Sequence, residues 1–306
     1  MKHDMTSTIS EFVWPRSALA DCVTSMVVRD TRGCVLDQAQ RFNFWPASPY
    51  ASVSWTFAGD IHLIEQQDQI ERPWTGARLP SCGFVGPKLR PVITWNPGEL
   101  YSISIGFYPD ALSAMTGLDL SPFTERIVPV EEALPRSILE ACRNFFDAVP
   151  RDGVEGSFSV LQDKIEIMSA GMRAAGIGSR RWKDWTRNLV NRAAATGSGH
   201  STRQIARRIK SWTGVGQRDL QRFTHIEQLH FKRLGAPWKG DIDWAALAAE
   251  SGFADQAHMI RRIKQHTGFT PEQLREGRDI RHDEAFWYYR VLDRMVEQQL
   301  ARQKGQ

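Results

Sequence analysis

Two segments of the chain, TRQIARRIKSWTGVGQRDLQR at residues 202–222 and QAHMIRRIKQHTGFTPEQLRE at residues 256–276, contain the same motif. In both, Arg-Arg-Ile-Lys is followed by a glycine, Gly214 in the first segment and Gly268 in the second. The shared positions all differ by 54 residues, as Arg207 and Arg261 do. A constant interval indicates one structural unit that occurs twice in the chain.

Each copy is predicted to fold as helix, tight turn, helix. In the second copy the Ala-rich segment 243–250 favours a short helix, Gly252 is placed to end it, and Asp255 can cap the next helix. In the first copy a helical segment at 187–197 is followed by Ser201, a second good cap, 54 residues before Asp255. We therefore expect two helix-turn-helix units.

The capped helices are amphipathic. Apolar and ring-bearing side chains recur at helical spacing and should face the core, namely Ile205, Ile209 and Trp212 in the first copy and Met259, Ile263 and His266 in the second. At 100° per residue, Arg207 and Arg261 point away from that core. The outward face is predicted to carry Arg203, Arg207 and Lys210 in the first helix, and Ile260, Arg261 and Lys264 in the second. Such residues can contact phosphates and base edges of DNA.

Charge divides the chain in the same way. Residues 179–281 carry 20 Lys and Arg against 10 Asp and Glu, a net charge of +10, whereas the rest carries 19 against 25, or −6. A surplus of this size in about a hundred residues can neutralise phosphates. Between the two units, residues 217–234 carry apolar residues at helical spacing, and as a helix they would span about 27 Å. One turn of DNA is about 34 Å, so a connector of this length could place both helices in successive major grooves.

The remaining parts of the chain have a different character. Up to about residue 130, short alternating runs such as ASVSWTF and YSISIGF favour strands, and from Val130 the pattern becomes helical, with candidates at 134–149 and 159–175. The Gly-rich segment 176–179 indicates a boundary. After it, the tail is predicted to form a helix with a packing stripe of Phe286, Tyr289, Leu292, Val296 and Leu300.

The region from about residue 183 to 279 resembles the DNA-binding domain of the AraC/XylS family of bacterial transcription regulators. The segment ESGFADQAHMIRRIKQHTGFTPEQLRE supplies the Gly-Phe, Asp-Gln-x-His, Arg-x-x-Lys and Gly-x-Thr-Pro elements of the family pattern, whereas the first copy lacks the Thr-Pro pair. The resemblance implies a seven-helix domain with two helix-turn-helix units. The positions that contact DNA would be Arg203, Ala206, Arg207, Gln256, Ala257, Ile260 and Arg261, beside the phosphate-binding Lys210 and Lys264.

The N-terminal half resembles the sensor halves of one branch of this family, on the stretches FWPASPYASVSWTFAGD and GPKLRPVITWNPGELYSISIGFYPDALSAMTGLDL. The resemblance implies an α+β protein, with an N-terminal, mainly β, cupin-like domain at 1–175, an all-α DNA-binding domain at 179–281 and a C-terminal helical extension at 282–306. The cupin-like domain would bind an effector and could mediate homodimer formation.

Several side chains of the N-terminal half are candidates for an effector pocket, because aromatic residues are dense there. The candidates are Phe44, Trp45, Trp55 and Trp95. Most aromatic residues of a sheet pack in the core, so core packing stays open as the other interpretation. Lys88 and Arg90 could bind an anionic effector, although a surface loop explains them equally well. Only His3 and His62 precede residue 200, which argues against a cupin metal centre, and the four scattered cysteines are assigned no role.

We therefore expect a transcription regulator that binds double-stranded DNA, without a cofactor or a metal and without enzymatic activity. The resemblance favours an activator that contacts RNA polymerase and responds to a small-molecule effector. The alternatives are a ligand-independent DNA-binding or partner-binding regulator, and a cupin-type enzyme fused to a DNA-binding domain. The polar N-terminus and the lack of long apolar runs predict a soluble cytoplasmic protein without membrane contact.

Overall fold

A computed structural model describes residues 7–174, 182–196, 201–234, 243–279 and 284–304. Antiparallel strands make up most of the N-terminal part, and helices make up the C-terminal part, so the α+β class predicted from the sequence is confirmed. The predicted boundary at 176–179 lies outside the described residues. Within the described ranges, no helix is long and apolar enough to cross a membrane.

The strands form a six-stranded sheet in the order β1-β2-β9-β4-β7-β10 and a four-stranded sheet in the order β3-β8-β5-β6. The neighbouring strands in both sheets are antiparallel. The bounds are β1 Ile9–Val13, β2 Val23–Asp30, β3 Phe42–Trp45, β4 Ala51–Ala58, β5 His62–Ile64, β6 Ala77–Arg78, β7 Cys82–Val85, β8 Val92–Trp95, β9 Tyr101–Phe107 and β10 Ile127–Pro129.

The helices are α1 Pro109–Thr116, α2 Val130–Ala133, α3 Arg136–Ala174, α4 Trp182–Ala195, α5 Thr202–Thr213, α6 Gln217–Leu234, α7 Trp244–Glu250, α8 Gln256–Thr267, α9 Pro271–Asp279 and α10 Trp287–Lys304. Helix α3 is broken at Gly153, where φ is 76° and ψ is 172°, three residues after Pro150. The break divides α3 into two helices, in agreement with the two candidates at 134–149 and 159–175.

The two central strands β4 and β9 have faces of opposite character because side chains alternate along a strand. On one face, Val53, Trp55, Ile103 and Ile105 are fully buried, and Trp55 packs on Phe145 of α3 at 4.7 Å between ring centroids. The opposite face carries hydroxyl side chains, Ser52, Ser54 and Thr56 of β4 and Ser102 and Ser104 of β9. Helix α3 thus covers the apolar face of the sheet, and the hydroxyl face lies on the side away from α3.

The C-terminal helix α10 and the short helical turn before it pack on the N-terminal sheets. Glu284 accepts hydrogen bonds from Thr8 and from Arg29, both at 2.8 Å, and forms an ion pair with Arg290 at 3.2 Å. Trp287 Nε1 donates to Asn43 Oδ1 at 2.8 Å. The first and last described segments of the chain are therefore joined.

The predicted packing stripe of α10 agrees with the structure in part. Phe286, Tyr289 and Val296 are buried, whereas Leu292 lines a cavity. The side chain of Leu300 lies outside the described residues. The cysteines Cys22, Cys34, Cys82 and Cys142 lie in the described ranges and are not joined in disulfides.

Candidate functional site

The two helix-turn-helix units have the same local geometry at their caps. The Ser201 hydroxyl accepts a hydrogen bond from the Gln204 N–H at 3.3 Å, and the Gln204 side chain accepts one from the Ser201 N–H at 3.2 Å. Asp255 Oδ1 accepts from the His258 N–H at 2.6 Å. Both predicted caps, Ser201 and Asp255, are therefore confirmed, and they fix where α5 and α8 begin.

The C-terminal ends of α5 and α8 also match. The Thr213 hydroxyl donates to the carbonyl oxygen of Ile209 at 2.6 Å, and the Thr267 hydroxyl donates to that of Ile263 at 2.8 Å. The glycines Gly214 and Gly268 follow, at φ of 76° and 83°, in the left-handed region that ends helices. Sequence reasoning missed the two threonines, although their separation of 54 residues could have revealed them.

The predicted outward residues of α5 and α8 lie at the surface. Arg203, Ala206, Arg207, Lys210, Gln256, Ala257, Arg261 and Lys264 are exposed, and Ile260 is half-buried. The predicted inward residues are Ile209, Met259 and Ile263, which are buried, and Ile205, Trp212 and His266, which are half-buried. The structure therefore gives both helices one inner apolar face and one exposed basic face.

Helix α6 connects the units and has 18 residues, with the bounds that the sequence predicted. Leu220, Phe223 and Leu229 are buried. Leu220 belongs to the core of the first unit, Leu229 belongs to that of the second, and the Phe223 ring packs on His266 of α8. Because its buried side chains pack in both cores, helix α6 is part of both units.

The first unit is attached to the N-terminal half through polar contacts. Asp110, at the start of α1, accepts a hydrogen bond from Trp185 Nε1 at 2.6 Å and forms an ion pair with Arg192 at 2.9 Å. The end of α5 is bound as well, because the Leu120 N–H donates to the Ser211 carbonyl at 2.8 Å and the Thr124 hydroxyl donates to the Gly214 carbonyl at 2.5 Å. A Cβ at residue 214 would lie 3.0 Å from Pro87, so a side chain there would be crowded as well as strained by the positive φ.

The second unit is attached mainly through aromatic rings. Phe44 lies 4.9 Å from Phe269 and 5.0 Å from Phe286, measured between ring centroids. One polar contact accompanies them, since the Ala47 N–H donates to the His266 carbonyl at 2.7 Å. The N-terminal half therefore contacts the same end of both capped helices.

A cavity of about 1130 Å³ lies between the two sheets, and α6 and α10 complete its wall. The hydroxyl face of β4 and β9 forms one side. Glu227 of α6 accepts a hydrogen bond from the Tyr50 hydroxyl at 3.1 Å, and burial raises the pKa of Glu227 to about 8. The hydroxyl wall was not anticipated, although serine or threonine alternates with other residues in ASVSWTF and serine does so at 102 and 104 in YSISIGF.

Of the four effector-site candidates, Trp45 lines this cavity, whereas Phe44, Trp55 and Trp95 do not. Phe44 lies on the face of β3 opposite to that of Trp45, and its ring packs on Phe269. Trp55 points to α3, where its Nε1 donates to the Cys142 carbonyl at 3.1 Å, and Trp95 belongs to the core beside Ile64. The period-two alternation of a strand puts these three on the faces away from the cavity, so Trp45 is the one of the four candidates that lines it.

The anion candidates Lys88 and Arg90 differ in burial. Lys88 is buried and lines the cavity, whereas Arg90 is exposed. Within the described ranges, no group of His, Cys, Asp and Glu side chains is arranged to hold a metal ion.

No family model matches the sequence, and no curated protein matches it. The structure is similar to apo ToxT from Vibrio cholerae, with a TM-score of 0.37 and 10% identity over 81% of this chain and 95% of that chain. For ToxT with bound unsaturated fatty acid the TM-score is 0.35 at 12% identity, covering 89% and 96% of the two chains. For the AraC-like transcriptional activator CuxR it is 0.27 at 10% identity, covering 94% and 100%.

Proposed function

We propose that the protein is a sequence-specific DNA-binding transcription regulator of the AraC/XylS type. The observation that carries the proposal is the pair of equivalent helices α5 and α8, each capped, each ended by an αL glycine and each exposing a basic face. Helices of this kind read the major groove when they are held at a spacing of about one DNA turn. Helix α6, of 18 residues, supplies a rigid connection between them.

The proposed division of roles along the two helices follows from side-chain chemistry. Arg203, Arg207 and Arg261 can donate two hydrogen bonds to a guanine edge, and Gln256 can pair with adenine. Ala206, Ala257 and Ile260 can contact thymine methyl groups. Lys210 and Lys264 are suited to phosphate, which adds affinity without sequence information.

The proposal includes an effector-responsive N-terminal half, supported by the cavity between its sheets. The wall of that cavity includes Glu227 of the connector α6, so an occupant would contact the helix that joins the two DNA-binding units. Partners of the protein would be double-stranded DNA, a small-molecule effector and, in an activator, RNA polymerase. The protein could bind these partners as a homodimer.

The test is selection of bound duplexes from a random pool by the full-length protein, followed by affinity measurements on the selected site. We expect binding whose log K falls with log salt by about 0.9 for each phosphate contacted. The double variant Arg207→Ala, Arg261→Ala should lose the preference for the selected site.

A matched control is the double variant Arg72→Ala, Arg151→Ala, which removes the same charge from exposed positions of the N-terminal half. It should keep the preference for the selected site. Equal loss in both double variants would show that α5 and α8 do not read DNA, and the proposal would fail.

A further inference from the structure

The cavity between the sheets has an apolar wall with a polar strip. Apolar contacts come from both sheets and from α10, through Trp14, Trp45, Val85, Val92, Leu292 and Met295. Hydroxyl groups of β4 and β9 form the strip, and the Ser54 and Ser104 hydroxyls are 2.7 Å apart. Small-molecule sites are commonly concave spaces of about 300–1,000 Å³ with this mixture of apolar wall and few polar groups.

Lys88 is a buried cation on this wall, with 7% of its surface exposed. In the part of the chain that the structure describes, no ion pair or hydrogen bond to its ammonium group is found. Burial lowers the pKa of Lys88, and Glu125 and Glu65 offset part of that effect. Both carboxylates are exposed at the surface, and Glu125 accepts a hydrogen bond from the Leu89 N–H.

A largely buried ammonium without an ion pair is costly, because it has lost much of its water without a counter-ion in contact. The other ionisable groups on the wall are Glu227 and the tyrosines Tyr50, Tyr108 and Tyr288. Burial raises the pKa of Glu227 to about 8, and burial also raises those of the tyrosines. At neutral pH these groups are mainly uncharged, so the charge on the cavity wall is that of Lys88.

We propose that this cavity binds a small organic anion, a carboxylate with an apolar body, and that Lys88 is its counter-ion. The apolar body would contact the tryptophans and α10, and the hydroxyl strip would accommodate polar substituents. The inference rests on the proposed effector-responsive function, and it names the chemical class of the effector.

The backbone around Lys88 connects this site to both DNA-binding units. The Lys88 and Ser48 backbones exchange two hydrogen bonds of 2.8 Å each. Next to Ser48, the Ala47 N–H donates to the His266 carbonyl at the end of α8. Next to Lys88, Pro87 lies against Gly214 at the end of α5. An anion bound at Lys88 would therefore lie beside two backbone segments, one in contact with the end of α5 and the other with the end of α8.

The experiment measures binding to the full-length protein at neutral pH by calorimetry, with four probes. The probes are 4-biphenylcarboxylate and decanoate, and the neutral amides of the same two acids. We expect the carboxylates to bind at least about tenfold more tightly than their amides, since hydrogen bonds to charged groups are stronger than those between neutral groups. The aromatic and alkyl arms distinguish which apolar body the cavity prefers.

Three variants locate the effect. Lys88→Met should weaken the carboxylates at least about tenfold and leave the amides unchanged, whereas Lys88→Arg should keep binding of the carboxylates. Arg90→Met, which removes an exposed charge two residues away, is the matched control and should bind like the unmodified protein. Without ligand, Lys88→Met should melt at a higher temperature, because it removes an unpaired buried charge.

Equal affinity for carboxylates and amides would overturn the proposal, as would unchanged carboxylate binding in Lys88→Met or no carboxylate binding up to the solubility limit. DNA affinity measured with and without the bound carboxylate tests the proposed function separately. If the carboxylate binds through Lys88 and the DNA affinity stays the same, the anion site stands and the effector-responsive role fails.

Discussion

The first and second helix-turn-helix units are alike in their local geometry and unlike in how they are attached. Helices α5 and α8 each begin at a side-chain cap and end in a buried threonine followed by an αL glycine. The first unit is bound to the N-terminal half mainly through polar contacts, with the buried carboxylate of Asp110 at their centre, whereas the second is bound mainly through the rings of Phe44 and Phe269. The local hydrogen bonds therefore define the unit, and the contacts with the N-terminal half differ from copy to copy.

This difference has an energetic consequence. A buried carboxylate that satisfies two partners is stabilising only while both are present, and loss of one charge of a buried pair is strongly destabilising. An aromatic cluster depends less on any one residue, because each ring has several neighbours, and the remaining rings still contact one another when one ring is removed. We therefore expect the attachment of the first unit to depend most strongly on Asp110, and that of the second to depend on a cluster of rings.

The largest effect is predicted for Asp110→Ala. Asp110 is 3% exposed, and its removal leaves the Trp185 N–H without its acceptor and Arg192 without its counter-ion. The free energy of unfolding should fall by about 3–5 kcal/mol. Hydrogen exchange should increase in α4 and α5 more than in α8, and denaturant unfolding measures the total.

The control is Asp147→Ala, which removes an exposed carboxylate from α3. A surface change of this kind should alter the free energy of unfolding by no more than about 0.5 kcal/mol. If Asp110→Ala changed exchange equally in α5 and α8, the two units would be attached as one body and the contrast between them would be wrong.

The repeat explains how much of this arrangement the sequence could predict. A constant offset, two caps and helical spacing of apolar residues were enough to place α5, α6 and α8, because these are local signals with a short range. The attachment of each unit was not predictable in this way. Asp110 and Trp185 are 75 positions apart, and nothing in either local pattern indicates that they meet.

The cavity shows the same limit for a sheet. Strand alternation is visible in ASVSWTF, but the sequence does not say which face is covered by a helix and which encloses a space. The aromatic residues suggested the face with Trp55, whereas α3 covers that face and the serines line the cavity. Lys88 was recognised as an anion candidate, and its burial, which separates it from Arg90, required the structure.

A second prediction concerns base recognition and rests on the proposed DNA binding. Arg203 is exposed on α5, and its equivalent on α8 is Ala257, so α5 alone presents two arginines of this kind, Arg203 and Arg207. Arg203→Ala should cost about 1–3 kcal/mol on the selected site and relax the preference at one base pair. Affinities for the selected site and for a scrambled duplex measure both quantities.

Lys210→Ala serves as the control on the same helix. It should weaken all duplexes alike and reduce the salt slope by about one, as the loss of a phosphate contact does. Equal weakening of both duplexes by Arg203→Ala would make Arg203 a phosphate contact too, and α5 would then have no greater part in guanine recognition than α8.

The last prediction separates the two helices by pH. His266 of α8 occupies the position that Trp212 has in α5, and burial lowers the pKa of His266 to about 4. The unfolded chain takes up this proton near pH 6.5, so the folded state binds fewer protons between about pH 6.5 and 4. This group alone should reduce the free energy of unfolding by about 1.4 kcal/mol for each pH unit of acidification in that window.

Glu227 has the opposite sign, because its pKa is raised to about 8 and the folded state holds its proton where the unfolded chain has released it. Its contribution is complete at low pH and is lost as the pH rises towards 8. The two slopes should therefore cancel between about pH 6.5 and 4.5 in the unmodified protein. In His266→Phe stability should continue to rise on acidification through that window, and in Glu227→Gln it should fall. Denaturant unfolding of both variants across the window decides the matter, since parallel pH curves for His266→Phe and the unmodified protein would mean that His266 titrates normally and that α8 is no more sensitive to acid than α5.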